Sequence, residues 1–205
     1  MIVSKLTPTI TPGLSETEFM SMQSRLTIPT RDEMRDDQRA VLDAILAGPR
    51  GNLDGPFLAW IHSPGLANPA QELGAFCRYH TQLSLVESEL AILTTAAWWR
   101  SQAEWMIHEP IARKAGLDGA IIDALQAEET PKISDPRQQL IYKTGRALYK
   151  TRRVNDALYA AGVEAFGEQG MVELVGIFGY YAFVAMTLNT FEMRPEKAEG
   201  LPFPE

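Results

Sequence analysis

The chain has 205 residues, 45% of them hydrophobic and 22% charged, with a formal net charge of −7. That suffices for one full-sized core of a soluble globular protein, and the acidic balance disfavours both nucleic acid and an anionic membrane surface as partners. One cysteine, Cys77, excludes an intramolecular disulfide, and the N-terminus shows no secretory signal, so a cytoplasmic protein is expected.

Residues 1–29 are dense in Thr, Pro, Gly and Ser and read as an irregular arm. Thr30-Arg-Asp-Glu33 fits a capping box that opens a helix burying Met34, Ala40, Val41, Ile45 and Leu46, with its stop at Gly48-Pro49. A loop over 51–55 leads into the segment from Pro56 to Pro64, and a helix follows from about Pro69 to Leu83. Ser84-Leu-Val-Glu87 opens a strongly apolar helix from Leu85 to Trp99, and Ser101-Gln-Ala-Glu104 fits a further capping box for a helix ending at Ala115-Gly116. Asp118 caps a short helix to Leu125, and a polar loop over 126–134 follows. Asp135-Pro136 and Val154-Asn155 start two more helices, the second of which ends at Gly167. Met171 to Phe191 is the most apolar stretch. It is long enough to span a membrane but has no basic residue beside its N-terminal end, so it reads as a buried central helix. No turn-bounded run alternates with period 2, and the predicted class is all-α: a single helical domain over 30–193 and a Pro-rich tail over 194–205.

The chemistry concentrates in ELAILTTAAWWRSQAEWMIH, from Glu89 to His108. Glu104 and His108 lie one helical turn apart, so they share a face, and a carboxylate beside an imidazole is the minimal equipment for acid/base work near neutral pH. Glu89 joins them if the two helices fold back on one another. Two plainer readings stand beside this one: Glu104 as the third residue of a capping box, and the Glu–His pair as a solvated helix pair. Pro110 bends the helix or frees the carbonyl of residue 106. His62 and Arg78 are candidate anchors for a substrate acid, and Trp99 and Trp105 either wall a small pocket or belong to the core. His80 suits a helix C-terminus, and Cys77 reads as a buried structural cysteine. Three histidines without Cys/His pairing disfavour zinc, and no phosphate loop or nucleophile motif is present, so neither metal nor cofactor is expected.

Glu89-Leu-Ala-Ile-Leu, then Ser101-Gln-Ala-Glu104-Trp-Met-Ile-His108, resembles the carboxymuconolactone decarboxylase and alkylhydroperoxidase-D-like superfamily. The flanks Trp60-Ile-His-Ser-Pro-Gly-Leu66, Ile111-Ala-Arg-Lys-Ala-Gly-Leu117 and the stretch from Gly179 to Phe191 add to the likeness, which covers about 30–193 and is strongest to the longer decarboxylase-like members. The resemblance implies an all-helical bundle and a homo-oligomer, trimer or hexamer, with the arm and tail wrapping neighbouring subunits. It matches Glu89 and His108 to the family glutamate and histidine. Ser101 and Glu104 stand where the peroxidase branch has its two cysteines, and without two thiols that redox cycle has nothing to exchange. The implied activity is therefore a cofactor-free carboxy-lyase on a small carboxylated ring metabolite of aromatic degradation. In it His108 transfers the proton, Glu104 orients it, and Glu89 is a second carboxylate. A non-catalytic ligand-binding helical oligomer, or an isomerase or dehydratase using the same site, is the alternative.

Overall fold

From Glu87 to Ala97 every residue of α4 (Leu85–Trp99) is buried, which is what a helix apolar on all sides requires. The rest of the chain is arranged around it in a computed structural model that describes residues 22–195 and 200–204. The described helices are α1 (Asp36–Ala47), α2 (Phe57–Trp60), α3 (Pro64–Tyr79), α4, α5 (Gln102–Ala115), α6 (Gly119–Gln126), α7 (Pro136–Thr151) and α8 (Asp156–Thr190). α4 packs against α5, α6, α7 and α8, while α3 joins α1 and α2 to α8. The strand content of the described residues is one two-residue pair, β1 (Met22–Gln23) antiparallel to β2 (Arg194–Pro195). The expected all-α class holds. Of the expected N-terminal arm, 1–21 lie outside the described residues.

Helix starts follow the side-chain chemistry. Glu33 and Glu87 reach back to the backbone N–H of Thr30 and Ser84, each at 2.9 Å, and Asp118, Asp135 and Asn155 accept first-turn N–H groups. Thr30 opens only a 3₁₀ turn, Arg31–Glu33, and α1 begins after an extended Met34. Ala40 is exposed. The buried place goes to Gln38, whose Nε2 donates to the Ile61 carbonyl. α3 starts at Pro64 rather than Pro69, because Pro64 takes the first helical position, where no N–H is needed, and Pro69 is carried within the helix. The two expected helices after residue 154 run on as α8 but break at Gly167, whose φ of 70° and ψ of 172° leave the helical region. α8 is long and apolar enough to cross a bilayer, and 67% of its most apolar stretch is buried inside the protein. The final residues fold onto their own chain: Phe203 is buried edge-on to Trp105 and exchanges two hydrogen bonds with the Gln102 side chain.

Close approach of α7 to the centre depends on Gly145. A Cβ there would sit 2.6 and 2.7 Å from ring carbons of Phe178 and 3.2 Å from the Thr94 methyl. Gly145→Ala is expected to destabilise the fold by about 1–3 kcal/mol through overpacking, less the ~1 kcal/mol that alanine returns as a helix former. Urea unfolding would show it as a lower midpoint with an unchanged slope; an equal or higher midpoint would contradict the packing argument.

Candidate active site

The site exists because α4 and α5 reverse sharply. Arg100 ends α4 in the left-handed region (φ 47°), and the Ser101 N–H donates back to the Ala96 carbonyl at 2.9 Å. The turn lays α5 against α4 and brings Glu89 to His108. His108 Nδ1 lies 2.8 Å from Glu89 Oε2, with both side chains buried. The in-helix partner expected from spacing, Glu104, is not the hydrogen-bonded one. Nor does Glu104 cap its helix: Ser101 makes no side-chain cap, and the Ser101 hydroxyl and both Glu104 carboxyl oxygens are buried without hydrogen-bond partners among the described residues.

These contacts set the protonation states. Burial pushes the Glu104 carboxyl well above the ordinary glutamate value, although it sits in the first turn of α5, where the helix dipole favours an anion. The dipole contributes about 0.3–1 kcal/mol, up to ~2 when partly buried; full desolvation shifts a carboxyl by up to ~3–5 pKa units, so desolvation wins. Burial also lowers His108, opposed by Glu89 through charge and hydrogen bond and helped by the charges of Arg78 and Arg50. The ring is therefore neutral near neutral pH. Its Nδ1–H donates to Glu89, since a carboxylate only accepts, and Nε2 is left as the free ring nitrogen. Tyr181 stands edge-on to His108, ring centroids 5.1 Å apart, and burial raises its phenol well above the ordinary value.

Glu104 and His108 line a small cavity together with Arg50, Asp54, Phe57, Arg78, Tyr180 and Tyr181. Its volume of about 20 Å³ is room for one water-sized group, so a larger substrate enters only if the lining moves. Tyr180 reaches this position because Gly74 of α3 leaves space: a Cβ there would lie 2.1 Å from the Tyr180 hydroxyl oxygen.

Of the residues singled out from sequence, Glu89, Glu104, His108 and Arg78 converge here. His62 does not: it is exposed and outside the lining, because α2 and the Pro64 helix start turn it outward. Trp105 is buried against Phe203 and Trp99 is half-buried, neither in the lining, so both serve packing. His80 is exposed at the end of α3, and Asn189 is exposed and donates to the Trp99 carbonyl. Cys77 is buried, its thiol pushed up to about 11 by burial and by Glu173. Arg50 was missed; its one signal is an arginine inside the glycine- and proline-rich run 48–55 that leads into an apolar helix.

No family model matches the sequence, and no curated protein matches it either. Solved structures do share its architecture. One is described as the core of an alkylhydroperoxidase AhpD, an uncharacterized peroxidase-related protein from Ralstonia eutropha JMP134; it is 21% identical with a TM-score of 0.69, over 85% of this chain and 93% of that one. Another, an uncharacterized peroxidase-related protein from Silicibacter sp. TM1040, is 13% identical with a TM-score of 0.68, over 85% and 92% of the two chains. At these identities the likeness is one of architecture, and by it the chain has the alkylhydroperoxidase-D-like helical fold.

Proposed function

We propose that the site performs cofactor-free acid/base chemistry of the lyase type, removing carbon dioxide from a small carboxylated metabolite. The observation that carries this is Glu104, buried with both oxygens unpartnered among the described residues, its carboxyl pushed by that burial toward the protonated form, facing the same cavity as His108 and two guanidiniums. Burial moves both groups toward their neutral forms, which leaves a carboxylic acid able to donate beside an imidazole able to accept. As the bond to the leaving carboxylate of a carboxylated lactone breaks, its electron pair passes through the conjugated ring double bond toward the lactone carbonyl. The Glu104 proton goes to the carbon beside that carbonyl, which shifts the double bond and gives the enol-lactone, and is then restored from water. His108, held by Glu89, accepts hydrogen bonds or a proton at Nε2. This exchanges the roles that spacing suggests, making Glu104 the donor and Glu89 the residue that orients His108. The peroxidase-related names of the structural neighbours do not carry over to this chain, which has one cysteine, buried and inert.

The protein is read as a homo-oligomer. Leu66, Leu73 and Phe76 on α3 and Val172, Val175 and Met186 on α8 are exposed at helical spacing, an apolar surface of the kind subunits cover. Light scattering that returned a monomer would remove that part.

The direct test is incubation with 4-carboxymuconolactone, following loss of substrate and appearance of the enol-lactone. Turnover by the protein, lost in Glu104→Gln and His108→Ala, is expected. Equal rates in all three would sink the named reaction, and thermal stabilisation by the lactone without turnover would favour a ligand-binding protein.

A further inference from the structure

We infer that Arg50 is the residue that receives the carboxylate retained by the substrate through the reaction, an assignment that rests on the acid/base reading above. Arg50 lies in the loop between α1 and α2 and is followed by Gly51 and Gly55, with φ of +68° and +108°. These left-handed turns, open to glycine at little cost, fold the loop over the cavity. Its guanidinium sits over the Phe57 ring, 4.7 Å from the centroid, which fixes the plane of the fork. One nitrogen, Nη2, is buried and without a hydrogen-bond partner among the described residues, and the side chain lines the same cavity as Glu104, His108 and Arg78. A buried guanidinium N–H left unmatched is costly, and a planar fork is matched best by a carboxylate.

The charge on the lining gives the substrate class. Glu104 and His108 are neutral there, so the formal charges are those of Arg50, Arg78 and Asp54. With Glu89 directly behind His108, the positive charge facing the cavity is confined to the two guanidiniums, which suits a single carboxylate. A second carboxylate, the one lost as carbon dioxide, would face the uncharged Glu104 and His108 with no counter-ion. The arrangement thus holds one anion and leaves the other poorly compensated.

The test measures binding and does not need turnover. Benzoate and its uncharged isostere benzamide would be titrated calorimetrically into the full-length protein, Arg50→Gln and Arg50→Lys. Benzoate is expected to bind the parent protein saturably and in preference to benzamide. Arg50→Gln should weaken benzoate by about tenfold or more, and Arg50→Lys, which keeps the charge but loses the fork, by less. Equal benzoate affinity in the parent and Arg50→Gln would overturn the assignment, as would a parent protein that binds both probes alike or neither. Should Arg50→Gln fail to melt cooperatively, the lysine variant decides: affinity for benzoate undiminished in Arg50→Lys, with benzamide binding as well, overturns it. Absence of lactone turnover would count against the lyase reading alone and leave these binding results standing.

Discussion

Replacing His108 with alanine is expected to destabilise the protein by about 1–3 kcal/mol, the usual cost of leaving a buried hydrogen-bonding group without its partner. Glu89 is fully buried; among the described residues one of its oxygens is already unpartnered and the other meets His108. Without the imidazole its carboxylate has no donor. The same substitution should cut turnover by about a hundred- to ten-thousand-fold, the range for loss of a positioned acid/base group. Adding Glu89→Gln to His108→Ala should restore part of the stability, because the amide brings its own N–H donors to a site that has lost one. Urea unfolding of the two single variants and the double variant checks this, with a coupling of about 0.5–3 kcal/mol expected. Strictly additive losses would mean that the two side chains are not energetically paired.

Glu104→Gln is expected to do the reverse and stabilise the fold at neutral pH. Native Glu104 keeps its proton well above the ordinary glutamate value of 4.5, whereas the unfolded carboxyl releases it near that value. Above about pH 4.5 the unfolded chain therefore binds fewer protons than the native one, and stability falls as pH rises by up to about 1.4 kcal/mol per unit until native Glu104 ionises. Glutamine has no such loss. The variant and the parent should match below about pH 4 and diverge as pH climbs to 7. His108 adds a slope of opposite sign: its native pKa is depressed below 6.5, so stability is lost as pH falls through the unfolded value. That contribution is common to both proteins and cancels in the comparison. Parallel curves for parent and variant between pH 4 and 7 would refute a proton held on Glu104.

Much of the fold is legible in the sequence because local chemistry and final structure agree. Glu33, Glu87, Asp118, Asp135 and Asn155 all do at helix starts what their side chains suit them for. Where reading and structure part, tertiary packing has overridden a local rule. Pro69 looks like a helix start, but a proline five residues earlier takes that position. Ser101 and Glu104 have the spacing of a capping box, yet the α4–α5 reversal draws both into the interior and neither caps. The same reversal explains why Glu89, nineteen residues distant in sequence, displaces the in-helix neighbour as the partner of His108. Sequence spacing describes neighbours on one helix and says nothing of a facing helix. Arg50 and His62 show the same limit on loops, where nothing periodic reports which side chain turns inward.

The protonation state of Glu104 tests the central claim most directly. A carbon-13 NMR titration of its side-chain carboxyl, assigned by its absence in Glu104→Gln, would follow it from pH 4 to 8. The carboxyl is expected to stay protonated well above the ordinary glutamate value of 4.5 while His108 remains neutral at pH 7. A carboxyl that titrates at that ordinary value would contradict the claim and remove the proton donor from the site.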